Sequence, residues 1–432
     1  MVDPNEIVEK DKKYLAAVYQ RKPVVLEKGK DTELWDLEGK RYLDCISGIS
    51  VVNAGHTPER IVNAGVEQMK KLIHCSGLYY TVPQTLLAEK LSEISPQQLR
   101  KSFFCNSGAE AVEGAVKLAK KYIVSKGRTG FNVIALEGSF HGRLGLSLTL
   151  TGQSKYKRGF GSFAVYPGIV HAPAPYCYRC KLEYPDCNLE CARKIEDIVK
   201  YHTTGDVAAM IVEPVMGEGG IIVPPDGYHE KVLEICRAHD ILYIADEVQS
   251  GFGRCGTMFA HTQWDIEADI MSMAKALGAG MPIGGVIYRN EIVECLQPGD
   301  HFSTFGGNPV CCAMALENIN YLEEGGLIEN ARRIGAKFMK ALHDLQDDSD
   351  LIGDVRGKGL MIGIELVKDR KTLAPAVEAT KSVAKTLMKN GVLIGTGGVE
   401  KNVLRIQPPL CITEAQMEEV VGSLEDALKG LR

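Results

Sequence analysis

The spacing of apolar positions along the chain changes character twice. The first sixty residues predict a short helix and then a hairpin, because Leu34-Trp35-Asp36-Leu37 and Arg41-Tyr42-Leu43-Asp44 alternate on either side of Glu38-Gly39-Lys40, a Gly-containing turn. From about Ser102 to Tyr288 the pattern becomes short apolar runs separated by helical periodicity. Runs at 133–136, 208–212, 241–245, 270–273 and 285–288 predict buried strands, and stretches at 109–123 and 227–238 predict helices among them. Such alternation predicts an α/β fold with a largely parallel sheet and helices on both faces. After a helix near 309–323 the pattern is mixed. Helices around 328–345, 376–390 and 414–429 alternate with strands around 361–366, 392–394 and 403–406. This predicts a smaller α+β domain, with the N-terminal hairpin packed near it. There is no internal repeat and no low-complexity linker.

Composition narrows the class. With 432 residues the chain can bury a large core, and more than one domain is expected. A formal charge of -5 gives no electrostatic reason to expect nucleic acid or an anionic membrane as partner. No apolar run is long enough to span a bilayer. The charged opening MVDPNEIVEKDKKYLAAVYQ has no apolar signal region, so a cytoplasmic soluble enzyme is the expectation.

Three stretches carry candidate chemistry. Phe103-Phe104-Cys105-Asn106-Ser107-Gly108-Ala109 runs from a strand end through small residues into an Ala-rich helix. Unpaired N–H groups and the positive dipole end of such a helix suit a phosphate, although Asn-Ser-Gly before a helix is also an ordinary cap. Ile244-Ala245-Asp246-Glu247-Val248-Gln249 places acidic residues at the carboxyl end of a buried strand, where open α/β sheets keep their ligands. A carboxylate buried there needs a partner, such as a protonated ring nitrogen or the cap of the next element. In Met273-Ala274-Lys275-Ala276-Leu277-Gly278-Ala279-Gly280 a lysine ends an apolar strand just before glycines. Desolvation at such a place lowers an amine pKa, as Schiff-base formation with an aldehyde requires.

Taken in order, these stretches resemble the class III (ω-) aminotransferases of the pyridoxal-phosphate fold type I superfamily, closest to the 4-aminobutyrate enzymes. The resemblance extends over nearly the whole chain. It takes in Gly48-Ile49-Ser50-Val51-Val52-Asn53, Phe140-His141-Gly142-Arg143, Val212-Glu213-Pro214-Val215-Met216-Gly217-Glu218, Ser303-Thr304-Phe305-Gly306 and Leu404-Arg405-Ile406-Gln407-Pro408-Pro409. It implies a large domain with a mostly parallel seven-stranded sheet over residues 61–325, which binds the cofactor. A smaller α+β domain would comprise residues 1–60 and 326–432.

The resemblance also implies roles. Lys275 would form the Schiff base with pyridoxal 5'-phosphate and move the proton, and Asp246 would pair with the ring nitrogen to keep the ring an electron sink. Ser107, Gly108 and Ala109 would bind the phosphate, with Thr304 of a neighbouring subunit completing it in a homodimer. Phe140, next to His141, would stack on one ring face and Val248 on the other. Gln249 would bond the ring hydroxyl, with Glu213 holding Gln249 in place. Arg143 would bind a distal carboxylate, and Arg405 would bind the α-carboxylate of 2-oxoglutarate or pair with Glu218 when the donor lacks one. Ile49 stands at the substrate side, where ornithine aminotransferases tend to carry tyrosine. The implied reaction moves an amino group from an ω-amino acid, 4-aminobutyrate or similar, to a 2-oxo acid. Acetylornithine aminotransferases share Ile49 and Arg143, and a racemase of the same fold is the alternative within enzymes.

Four of the thirteen cysteines are clustered: Cys177, Cys180, Cys187 and Cys191. Their spacing could wrap a tetrahedral metal, form two local disulfides or leave free thiols. No metal is expected at the catalytic site.

Overall fold

The computed structural model describes residues 2–431. Its strands in chain order are β1 (Leu26–Lys30), β2 (Glu33–Asp36), β3 (Arg41–Cys45), β4 (Leu99–Cys105), β5 (Asn132–Leu136), β6 (Ile169–Ala172) and β7 (Val207–Val212). They continue with β8 (Leu242–Asp246), β9 (Ile270–Met273), β10 (Gly284–Arg289), β11 (Ile352–Lys358), β12 (Met361–Leu366), β13 (Val392–Gly397) and β14 (Val403–Ile406).

Two seven-stranded sheets result. The first has the order β4-β10-β9-β8-β7-β5-β6. Strands β9, β8, β7, β5 and β6 run parallel, and β10 alone is antiparallel to both of its neighbours. Every residue of β5, β7, β8 and β9 is buried, which is why they read as unbroken apolar runs rather than alternating ones. The helix Gly108–Ser125 packs across β10, β9 and β7 with its Ala- and Val-rich face buried. The strand order reverses at β5, which lies between β6 and β7, and the carboxyl ends on either side of such a reversal frame a crevice.

The second sheet, ordered β1-β2-β3-β13-β14-β12-β11, is drawn from both ends of the chain. The N-terminal hairpin does more than pack nearby. Its strand β3 pairs in parallel with β13, Leu43 opposite Val392 and Cys45 opposite Ile394. Helices Leu327–Asp347 and Val377–Lys389 pack on this sheet, and Glu414–Lys429 packs against both of them.

Arg254 fastens the segment after β8 to the second sheet. It is fully buried and donates to the carbonyls of Leu360 (2.9 Å) and Pro408 (2.6 Å) and to Asn53 Oδ1 (2.5 Å). Among the described residues no helix is long and apolar enough to cross a membrane.

Candidate active site

The parallel strands of the first sheet deliver their chemistry to one edge. β4 turns through Asn106 and Ser107 into the helix that begins at Gly108, and β5 leads to Phe140-His141-Gly142-Arg143. β7 precedes Glu213, β8 ends on Asp246 itself, and β9 runs to Met273, two residues before Lys275. These groups surround a cleft of about 460 Å³, within the range of small-molecule sites.

At its floor lies Asp246, 3% exposed. Its Oδ2 meets His141 Nδ1 at 2.6 Å, and its Oδ1 accepts from Ser272 Oγ (3.0 Å) and Val248 N (3.2 Å). Three partners therefore fix the carboxylate in place. The serine on β9 was missed from sequence, where it is one small residue in an apolar run.

Lys275 borders the same cleft and is half-buried. Burial lowers its pKa, against the opposing pull of Glu218, Asp246 and Glu213. Its backbone is left-handed, φ 46°, in a single 3-10 turn, a conformation that costs a non-glycine residue energy and clusters at functional sites.

At the other end, Ser107 caps the helix by accepting from Glu110 N at 3.2 Å. Gly108 is needed for the approach, since a Cβ there would stand 2.7 Å from Val248 Cγ1. Ala109 and Phe140 also line the cleft, as do Gln249 and Arg143. The guanidinium of Arg143 lies over the Tyr156 ring at 4.5 Å and the Phe140 ring at 5.7 Å. It has no ion-pair partner among the described residues.

Arg405 on β14 and Glu218 after β7 form an ion pair within electrostatic reach of Lys275. Burial acts to raise the Glu218 carboxyl, but the charge and hydrogen bond of Arg405, with the charges of Lys275 and Lys155, together hold the group below its usual range. Arg405 Nε is buried without a hydrogen-bond partner, and Gly397 leaves room beneath the guanidinium.

Two sequence expectations need adjustment. Glu213 does not hold Gln249. It is 6% exposed and accepts from Phe140 N and Gly217 N, both at 2.9 Å, and Gln249 Oε1 instead accepts from Gln407 Nε2 at 3.0 Å. The physical reason is that a buried carboxylate is best served by fixed backbone donors. Burial, reinforced by Asp246, pushes the Glu213 carboxyl up to about 7 despite His141. Ile49 does not line the cleft; Val51 does. Ile49 instead lies 46% exposed on a left-handed turn, with positive φ from Ser47 through Ser50. Thr304 is exposed and borders a second cavity, shared with Asn106 and Glu110.

The clustered cysteines stand apart from the cleft. Cys177 and Cys180 are exposed, Cys187 and Cys191 half-buried, and all four are free thiols. Among the described residues no three acidic, His or Cys side chains are arranged to hold a metal ion.

Residues 14–428 match the family model of the class-III aminotransferases. The chain belongs to that family. Class III aminotransferases are pyridoxal-phosphate enzymes, and the α/β fold described above is the fold type I of that superfamily. An acetylornithine aminotransferase of Methanothermobacter thermautotrophicus is 41% identical over 100% of both chains. A leucine/methionine racemase of Thermococcus litoralis is 39% identical over 94% of this chain and 90% of its own. The solved structure of an (S)-enantioselective omega-transaminase from Thermomicrobium roseum superposes with a TM-score of 0.93 at 32% identity, covering 100% of this chain and 99% of that one.

The cleft of this class III aminotransferase fits the cofactor. A capped helix N-terminus opened by Gly108 suits a phosphate, a fixed buried carboxylate at Asp246 suits a protonated ring nitrogen, and a desolvated amine at Lys275 suits an aldehyde.

Proposed function

We propose that this aminotransferase transfers the terminal amino group of an ω-amino acid to a 2-oxo acid, 2-oxoglutarate in the first instance. The observation that carries the reading is the pairing of Arg405 with Glu218 beside a second, unpaired guanidinium at Arg143. An ω-amine donor such as 4-aminobutyrate has no carboxylate on its reacting carbon, whereas 2-oxoglutarate does. Glu218 covers Arg405 for the first substrate and releases it for the second. Arg143 binds the distal carboxylate common to both by charge-assisted hydrogen bonds. N-acetylornithine, named by the relative that is 41% identical, also carries an ω-amine and a remote carboxylate, and it fits the same arrangement.

Pyridoxal phosphate, when bound, supplies an aldehyde for the amine and a ring that withdraws electrons from the bond being broken. Lys275 would be the base that takes the proton from the amine-bearing carbon, and burial, which lowers its pKa, favours the neutral amine that this task needs. Asp246, fixed by His141, Ser272 and Val248 N, would hold the ring nitrogen protonated. Ser107, Gly108 and Ala109 would bind the phosphate at the helix N-terminus, and Phe140, Val248 and Gln249, which line the same cleft, would hold the ring.

The working unit we propose is a homodimer. Thr304 is exposed beside Phe302 and Phe305, 55% and 64% exposed, and Gly77 beside Phe302 leads into Leu78, Tyr79 and Tyr80, of which Tyr79 is 67% exposed. So much uncovered apolar surface suits a second copy, whose Thr304 would complete the phosphate site.

A panel of donors against 2-oxoglutarate and pyruvate tests the reading. Turnover with 4-aminobutyrate or N-acetylornithine and 2-oxoglutarate is expected to exceed turnover with α-amino donors. The relative that racemises leucine and methionine supplies the second reading. Accumulation of the opposite enantiomer of an amino acid without any 2-oxo acid would favour it.

A further inference from the structure

Glu218 has a further hydrogen-bond partner besides Arg405. Tyr156 Oη donates to Glu218 Oε2 at 3.3 Å, while Arg405 pairs with Oε1 of the same carboxylate. The Tyr156 ring lies beneath the Arg143 guanidinium at 4.5 Å and meets the Phe140 ring edge-on at 5.2 Å. One half-buried side chain thus touches the covering carboxylate with its hydroxyl and the distal-carboxylate arginine with its face. Burial and the neighbouring Glu218 push its phenol up to about 12, so the hydroxyl keeps its proton and can only donate to the carboxylate.

We propose that Tyr156 is a positioning residue for substrate choice, which holds Glu218 in place when Arg405 leaves it and braces Arg143 for the distal carboxylate. The inference rests on the reading of Arg405 and Glu218 given above. When an α-carboxylate takes Arg405, Glu218 loses its ion-pair partner inside a largely enclosed site. An unpaired buried carboxylate is costly, so some donor must remain. Lys275 and Lys155 are the other charges within electrostatic reach of Glu218. Capture of Glu218 by Lys275 would pin the amine that has to move the proton. A neutral hydroxyl already bonded to Oε2 satisfies the carboxylate without that penalty. The ring acts separately, through its contact with the Arg143 guanidinium, a cation–π arrangement that fixes where the charge points.

The hydroxyl and the ring can be separated by substitution. Binding of glutarate, which carries two carboxylates, and of butyrate, which carries one, is measured by calorimetry on the holoenzyme, and neither compound can react. Tyr156→Phe keeps the ring, so butyrate binding is expected to stay unchanged. Glutarate binding should weaken about tenfold, the scale of one hydrogen bond to a charged group. Tyr156→Leu should weaken both. In turnover, Tyr156→Phe should raise KM for 2-oxoglutarate and leave KM for 4-aminobutyrate unchanged. Glu218→Gln is the control, because it changes the glutarate-to-butyrate ratio if Glu218 covers Arg405. A changed ratio in Glu218→Gln with an unchanged ratio in Tyr156→Phe overturns the role of Tyr156 alone. An unchanged ratio in both overturns the covering role of Glu218 and the inference with it.

Discussion

Arg405 on β14 and Glu218 beyond β7 form an ion pair that joins the two sheets beside the cleft. The pair brings a residue near the C-terminus into a site otherwise built by the first sheet. It also leaves Arg405 Nε without a partner, so the guanidinium has capacity for a further acceptor. Removing Glu218 should therefore change substrate preference more than it changes the fold. Glu218→Ala is expected to lower kcat/KM for ω-amine donors more than for α-amino donors, because Arg405 is then uncovered for every substrate. Equal losses on both donor classes would contradict this.

Arg143 should matter through the substrate's charge. Arg143→Met is expected to raise KM for 4-aminobutyrate by about tenfold to a hundredfold, the range of hydrogen bonds to charged groups. An alkylamine of similar length without a carboxylate should be unaffected. A parallel loss with both amines would show that Arg143 supports the cleft rather than binding a carboxylate.

Glu213 predicts a pH dependence. Its carboxyl rises from 4.5 to about 7 on folding, chiefly through burial. Between those values the folded chain holds a proton that the unfolded chain has released, so this group's contribution to stability falls as pH rises from 4.5 to 7 and is level above that. Glu213→Gln cannot titrate, and it turns an amide N–H toward one of the two backbone donors, costing about 1–3 kcal/mol. Thermal melts of the cofactor-free protein should show the gap between wild type and variant narrowing from pH 5 to pH 8. A constant gap would mean that Glu213 does not titrate in this window.

Much of this could be read along the chain, for reasons that the structure makes concrete. The buried strands β5, β7, β8 and β9 announce themselves because both of their faces are covered, leaving no polar alternation. The edge strands did not. β1 (LEKGK) and β11 (IGDVRGK) are mostly polar and partly exposed, as edges that avoid further pairing tend to be. Lys275 and Asp246 were legible because a charged residue at the end of an apolar run is conspicuous. Ser272 and Tyr156 were not, since each acts through a contact with a residue distant in sequence. The same blindness lies behind the reading of Glu213: the resemblance implied that it holds Gln249, whereas the partner of Gln249 is Gln407, 158 positions away.

Arg254 offers a test of how the two sheets are fastened. Its side chain is buried against two carbonyls and Asn53, without a carboxylate. Arg254→Met fills similar space but leaves those acceptors unpaired, and should cost more than about 2 kcal/mol. A lowered thermal midpoint, with Arg405-dependent substrate binding weakened alongside, is the expected result. An unchanged midpoint would show that the acceptors find other donors.

The most direct test concerns Lys275. Lys275→Ala, incubated with pyridoxal phosphate, is examined for the visible absorption of lysine-linked cofactor and for amino transfer from 4-aminobutyrate or N-acetylornithine to 2-oxoglutarate. Both are expected to be lost while the folded secondary structure, followed by circular dichroism, is retained. A variant that keeps the absorption and the turnover would contradict this.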